Sequence, residues 1–319
     1  MNSEVKTIAS LESIEISIVC PVYNAEDCIE ELYQRLTLTL SKISLNYEMV
    51  FVEDRGRDNS WELIRTLALQ DKKIKAIRLS KNFGQHRAIT AGLAHAQGEN
   101  IVVMDCDLQD TPEDIESLYK KIQEGHDMVV GRRSKRKDTF LKKTISRFFY
   151  KFYSFCVGVE MDHTIANFGI YSRKVINSFL KLKEQHRFFP ISIKWCGFNC
   201  TSIDITHSKR FKGKSSYTLY KLLKCGVDNI ISNSSLPLLL ICETGVVLSF
   251  FSFLYGNYII LRWIFLGTLI PGWASLMVFL SFIGGIVILS IGLVGLYIRK
   301  IFEEVKERPL YIIDEAINT

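Results

Sequence analysis

The chain has 319 residues, of which 48% are hydrophobic and 23% charged, and its 40 Lys and Arg against 34 Asp and Glu give a net charge of +6. That length suits one catalytic domain with something added, and so modest a net charge directs attention to where the charges lie. The eight cysteines include no C-x-x-C pair, which argues against a zinc or disulfide framework and for reduced thiols in a cytosolic soluble part.

The N-terminal stretch MNSEVKTIASLESIE lacks an apolar core and carries acids, so no signal peptide is expected. Residues 15–131 then alternate short apolar runs with helical patterns. EISIVC precedes a helix from about Glu26, YEMVFVE one from about Asp58, KAIRL one from Gln85 and NIVVM one from Pro112, and DMVVG closes the series. Such alternation predicts a doubly wound, mostly parallel sheet with right-handed crossovers. The first strand is followed by no G-x-G-x-x-G, and no Walker A sequence occurs, which argues against a dehydrogenase or an NTPase.

The fourth run ends in acids, NIVVMDCDLQDTPED. Asp105, Asp107, Gln109 and Asp110 fall at the carboxyl end of that strand, where open α/β sheets bind ligands, and clustered oxygen donors there suit a hard divalent ion beside a phosphate. Read alone, the same acids equally describe a solvated loop and the first turn of a helix near Pro112.

Residues 140–156, FLKKTISRFFYKFYSFC, carry Lys143, Arg147 and Lys151 on one helical face and Leu141, Ile145 and several Phe on the other. This pattern describes an interfacial helix or one packed on its own domain. His207 to Lys224 is a second basic block, running into a helix over about Tyr217 to Ser232. From Leu236 to Leu261 the sole charge is Glu243, and Trp273 to Ile298 has none; both stretches exceed the about 20 apolar residues that a spanning helix needs. Only Arg262 to Gly272 separates them, so they form a hairpin, and Lys and Arg flank its two ends rather than its loop. The positive-inside rule places both ends in the cytoplasm. Glu243 lies near the cytoplasmic end and reads as a snorkelling acid, whereas Ser281, Gly285 and Gly292 offer a small-residue face for helix contact or self-association. The expected parts are a catalytic domain over 1–216, a juxtamembrane helix over 217–235, a hairpin over 236–298 and a tail over 299–319.

Taken together, SIVCPVYNAED, VEDRGRDNS, NFGQHRAITAGL, MDCDLQD, RFKGKSSY and GLYIRKIFEEVKERPLYI resemble the membrane-anchored glycosyltransferases of family two, in particular the polyprenyl-phosphate sugar transferases similar to dolichol-phosphate-mannose synthase. The resemblance runs from about Ile16 to Tyr311. It implies a GT-A fold, a nucleotide-sugar donor, Mg2+ or Mn2+, and inversion at the anomeric carbon. Pro21, Tyr23, Asn24 and Glu26 match the motif that shapes the base pocket, and Asp54 the acid that faces the base. Glu53-Asp54-Arg55-Gly56 stands where the family usually has Asp-Asp-Gly-Ser, which leaves the base open. Asn82 and Gln85 match a loop near the ribose. Asp105 and Asp107 match the metal-binding acids, with Gln109 as a further donor, and Asp110 is left to cap the next helix. Arg133 matches the family arginine after the fifth strand, with Arg132 beside it, and Arg210, Gly213, Ser215 and Tyr217 match the phosphate-binding segment before the membrane. Asp162 falls where the family can supply an acid beside the acceptor, although a phosphate acceptor, largely dianionic at neutral pH, can attack without a strong base.

The resemblance therefore implies a metal-dependent hexosyltransferase acting on polyprenyl phosphate, undecaprenyl phosphate in a bacterium, at the cytoplasmic face of the inner membrane, with the catalytic domain in the cytoplasm and no nucleic-acid partner. Two other readings stay open at this point: transfer onto a lipid-linked saccharide in O-antigen or polysaccharide assembly, and a membrane-anchored nucleotide-binding scaffold without activity. The sugar and the oligomeric state are not legible.

Overall fold

The computed structural model describes residues 14–133, 165–206, 230–231, 234–266 and 272–319. Described residues before 207, together with Arg308–Thr319, form one compact unit, and those between 230 and Glu307 form another.

The first unit is built on eight strands: β1 (Ile16–Val22), β2 (Tyr47–Glu53), β3 (Ile74–Leu79), β4 (Asn100–Val103), β5 (Met128–Arg133), β6 (Ile165–Ser172), β7 (Cys200–Ile205) and β8 (Ile313–Ile317). They lie in the order β7-β5-β6-β4-β1-β2-β3-β8. The first four are mutually parallel and β7 is parallel to β5, whereas β6 and β8 run antiparallel to their neighbours. Every residue of β1 and β2 is buried, as a sheet covered on both faces requires. Alternation along the strand divides the core in two: Ile16, Ile18 and Cys20 of β1 join one cluster, and Val19 joins the other.

Among the described residues, six α-helices of this unit follow from their apolar spacing: α1 (Glu26–Ile43), α2 (Ser60–Gln70), α3 (Gln85–His95), α4 (Ile115–Ile122), α5 (Arg173–Leu180) and α6 (Phe189–Trp195). In α1, Ile29, Leu32, Leu36 and Leu40 make a buried stripe at helical spacing, with Glu26 and Asp27 in the first turn, where the helix dipole favours acids. Each such buried aliphatic side chain contributes about 1.5–3 kcal/mol. Helix α3 seats closely on the opposite face, because a Cβ at Gly92 would lie 2.5 Å from Val19 Cγ1.

The mostly parallel, doubly wound sheet meets the GT-A expectation. Strands β6, β7 and β8 go beyond the five that the sequence pattern predicts, and β8 returns the expected tail to this sheet.

In the second unit, α7 (Leu236–Leu266) and α8 (Trp273–Val305) are long and apolar enough to cross a bilayer. Some of their polar side chains bond within the unit: Thr244 donates to the Ile241 carbonyl, Asn257 to Phe253, Ser290 to Ile286 and Tyr297 to Ser234. Lipid demands such internal satisfaction. Helix α8 continues past the expected limit at 298 to Val305.

Candidate active site

The chain runs from β1 outward through β2 to β3 and resumes with β4 on the other side of β1. That reversal is a topological switch point, and ligands of open α/β sheets bind in the crevice beyond the strand ends there. On the β1 side Pro21 is buried and Tyr23 stands 47% exposed, which leaves its ring free to stack. On the β4 side the chain leaves the sheet at Met104 and presents Asp105, Asp107 and Gln109, all partly buried.

Hydrogen bonds knit the loops of this rim from one strand end to the next. Asn24 Oδ1 accepts from Arg57 N at 2.8 Å and Glu26 Oε2 from Asn59 N at 2.9 Å, while Asp58 Oδ2 accepts from Glu26 N at 3.0 Å. These three bonds join the loops after β1 and β2. Asp54 then joins the loops after β2 and β3: Oδ1 accepts from Phe83 N at 2.7 Å, Oδ2 from Gly84 N at 2.8 Å, and its carbonyl from Asn82 Nδ2 at 3.1 Å. Gly84 turns with φ of 93°, a conformation open to glycine, and starts α3. Its neighbour Gln85 donates from Nε2 to Asp105 Oδ1 at 2.6 Å, which links the third loop to the fourth. Asp110, 1% exposed, takes Arg133 on both oxygens at 3.0 and 3.1 Å. Arg132 pairs with Asp204 of β7 at 2.8 Å, an exposed pair, whose contribution is below about 1 kcal/mol.

These contacts give several expected site residues definite work. Asn24, Glu26, Asn82 and Asp54 use their polar atoms on loop backbone. Asp110 anchors Arg133, because a carboxylate this buried needs a charged partner. Burial pushes the Asp54 carboxyl up to about 6, against the Phe83 and Gly84 amides that hold it down. Asp162, Arg210, Gly213, Ser215 and Tyr217, the interfacial helix over 140–156 and most of the juxtamembrane helix lie outside the described residues. Asp58 and Ser60 escaped the sequence reading, although Asp-Asn-Ser just before a helical pattern is a capping signal.

The acid cluster suits a hard cation. Burial, with the Asp107 and Asp110 carboxylates beside it, pushes the Asp105 carboxyl up to about 7. Arg133 is committed to Asp110, and a divalent ion beside Asp105 would favour its ionised form. Among the described residues no group of three or more His, Cys, Asp or Glu is gathered for a metal. Two carboxylates fit Mg2+ or Mn2+ of the kind completed by substrate phosphates and water, and do not fit a self-sufficient protein cage.

Comparison with known proteins gives a family, relatives and distant folds. The model of glycosyl transferase family 2 matches residues 17–180. An uncharacterized glycosyltransferase of Bacillus subtilis, YkcC, is 40% identical over 304 residues, covering 95% of this chain and 94% of its own. The bactoprenol glucosyl transferase of Shigella phage SfII is 33% identical over 304 residues, covering 95% of this chain and 98% of its own. A crystal structure of Mycobacterium tuberculosis glucosyl-3-phosphoglycerate synthase with Mn2+, UDP and phosphoglyceric acid aligns over 69% of this chain and 76% of that one, at a TM-score of 0.46 and 15% identity.

Proposed function

Because the chain belongs to glycosyl transferase family 2, we propose that it transfers glucose from UDP-glucose onto undecaprenyl phosphate, with inversion, at the cytoplasmic face of a membrane that α7 and α8 span. The observation that carries this reading is the end-to-end likeness to a bactoprenol glucosyl transferase, which covers 95% of the chain and therefore the hairpin as well as the sheet.

The residues of the rim and of the family motifs would divide the work. Tyr23 offers an aromatic face to the uracil ring. Asp54, by holding the Phe83 and Gly84 amides, fixes the loop that lies along the ribose. Asp105 and Asp107, with Gln109 beside them, would hold Mg2+ or Mn2+, whose positive charge stabilises the departing diphosphate. Gln85 orients Asp105 from the start of α3. Arg133 keeps Asp110 neutralised next to that pair, and Arg210, Gly213, Ser215 and Tyr217, which match the family's segment before the membrane, would bind phosphate. The acceptor phosphate is its own nucleophile, with a second pKa of about 6, so Asp162 need not take a proton. The flanking Lys and Arg, and a chain that leaves the sheet unit for α7 and returns to it after α8, support a hairpin with both ends cytoplasmic.

The test is extraction of lipid from membranes carrying the protein after incubation with labelled UDP-glucose, UDP-galactose or GDP-mannose, Mg2+ and undecaprenyl phosphate. Labelled lipid is expected with UDP-glucose alone and at least about hundredfold less in Asp107→Ala, the loss typical of removing an electrostatic stabiliser of the transition state. Absence of labelled lipid with every donor contradicts the proposal.

A further inference from the structure

The chain does not end at the membrane helices: Ile313–Ile317 returns as β8 and pairs antiparallel with β3. One bland reason for this is that an open sheet edge invites aggregation and is commonly covered. Edge cover accounts for the ladder, and for Asn318, whose side chain donates to the Ala68 and Ile74 carbonyls at 2.7 and 2.9 Å. It does not account for two contacts that leave the sheet. Ser80 N donates to the Ile312 carbonyl at 2.9 Å, one residue beyond β3 and inside the loop that leads to α3. Asp314 Oδ2 accepts from Arg55 NH1 at 2.6 Å, across 259 residues of sequence, in the loop after β2.

Those are the two loops that Asp54 ties together through Phe83 and Gly84. Arg55 itself has φ of 55°, a left-handed conformation that costs a non-glycine residue about 1 kcal/mol. A glycine at this position would be free of strain, so the arginine side chain is there for what it reaches. Its guanidinium is half exposed and reaches Asp314. Immediately before it stands Asp54 and immediately after it Gly56, whose amide is held by the Glu53 carboxylate. The C-terminal strand thus grips the turn on both sides of Asp54's loop bonds, and the same bonds continue through Gln85 to Asp105.

We propose that β8 is a positioning element of the donor pocket, with Asp314 and Arg55 setting the turn that carries Asp54 and, through it, the loop from Ser80 to Gln85. The identity of that pocket as a UDP-glucose site rests on the function proposed above. The positioning residues touch no reacting atom; they act on donor affinity.

The experiment uses the full chain in lipid nanodiscs and compares wild type with Arg55→Gly, Asp314→Asn and the reversed pair Arg55→Asp with Asp314→Arg. Arg55→Gly relieves the backbone and removes the pair, so a purely structural view expects it to be neutral or stabilising. The positioning view expects KM for UDP-glucose to rise about threefold to fivefold in each single variant, the scale of a half-exposed ion pair, with kcat and the KM for undecaprenyl phosphate within about twofold of wild type. It also expects the reversed pair to recover the donor KM. Amide hydrogen exchange across residues 80–88, without ligand, should quicken by a similar factor in the single variants at unchanged Tm. Unchanged donor KM and unchanged exchange in both single variants overturn the proposal. So do equal changes in donor and acceptor KM, or a lowered Tm, that the reversed pair fails to recover. Should wild type turn over no UDP-glucose, the function falls while the exchange comparison still decides the role of β8.

Discussion

His86 sits one residue after Gln85, and its ring meets Phe188 edge-on at 4.5 Å between centroids, with Nδ1 buried and lacking a hydrogen-bond partner. Burial lowers its pKa from the ordinary 6.5 to about 4. As pH falls from 6.5 the unfolded chain takes the proton first, so stability is complete above about 6.5 and drains as pH falls toward about 4. Thermal unfolding over this window should show a steeper loss of Tm in wild type than in His86→Leu; parallel slopes contradict the assignment. At this scale the sequence disclosed position where an apolar run ends in acids, as at Asp105 and Asp107, which do follow the fourth strand. It was not legible at Asn24, Glu26 and Asp54, because a polar side chain in a loop does not disclose which backbone amide will face it.

The elements show a division of labour between the two ends of the sheet. At the carboxyl ends, loop-to-loop bonds shape the pocket. Near the amino ends lies a buried network remote from that rim: Lys75 meets Glu48 at 2.8 Å with side chains 8% and 3% exposed, and Ser17 donates to Glu48 at 2.6 Å. Removing one partner of a buried ion pair strands the other charge and costs about 3–5 kcal/mol. Lys75→Met should therefore lower stability by that order in denaturant unfolding, and adding Glu48→Gln should recover part of it, with the donor KM of the folded fraction unchanged. Equal stability of Lys75→Met and wild type contradicts this. The five strands β1 to β5 announce themselves as apolar runs because the sheet is covered on both faces. IANFGIYS, CTSIDI and IDEAI do not: β8 alternates between partly exposed and exposed positions, β7 is partly or fully exposed at every position but Ile205, and their pairing depends on partners far away in sequence. A five-residue strand containing two acids acquires its conformation from the β3 edge, which no local pattern encodes.

For the whole molecule, connectivity matters more than any single site. The chain passes from the sheet unit into α7 and α8 and comes back as β8, so both ends of the hairpin are joined to the unit that carries the acids. Under the proposed function, that connectivity ties the helices that would meet the lipid acceptor to the unit that would bind the donor. The two long apolar helices were legible, one run carrying Glu243 alone and the other no charge, and the family motifs mark the loops of the rim. The return of the tail was not, because GLYIRKIFEEVKERPLYI reads as a basic membrane flank until β3 is seen to need a neighbour.

The most direct test of the account is UDP release by purified protein in liposomes supplied with UDP-glucose and Mg2+, with the lipid varied. The phosphate is assigned as its own nucleophile, so UDP release should require undecaprenyl phosphate, match glucosyl lipid one for one, and fail with undecaprenol, whose hydroxyl would need a base. UDP release that is indifferent to the lipid, or that proceeds equally with the free alcohol, would contradict it.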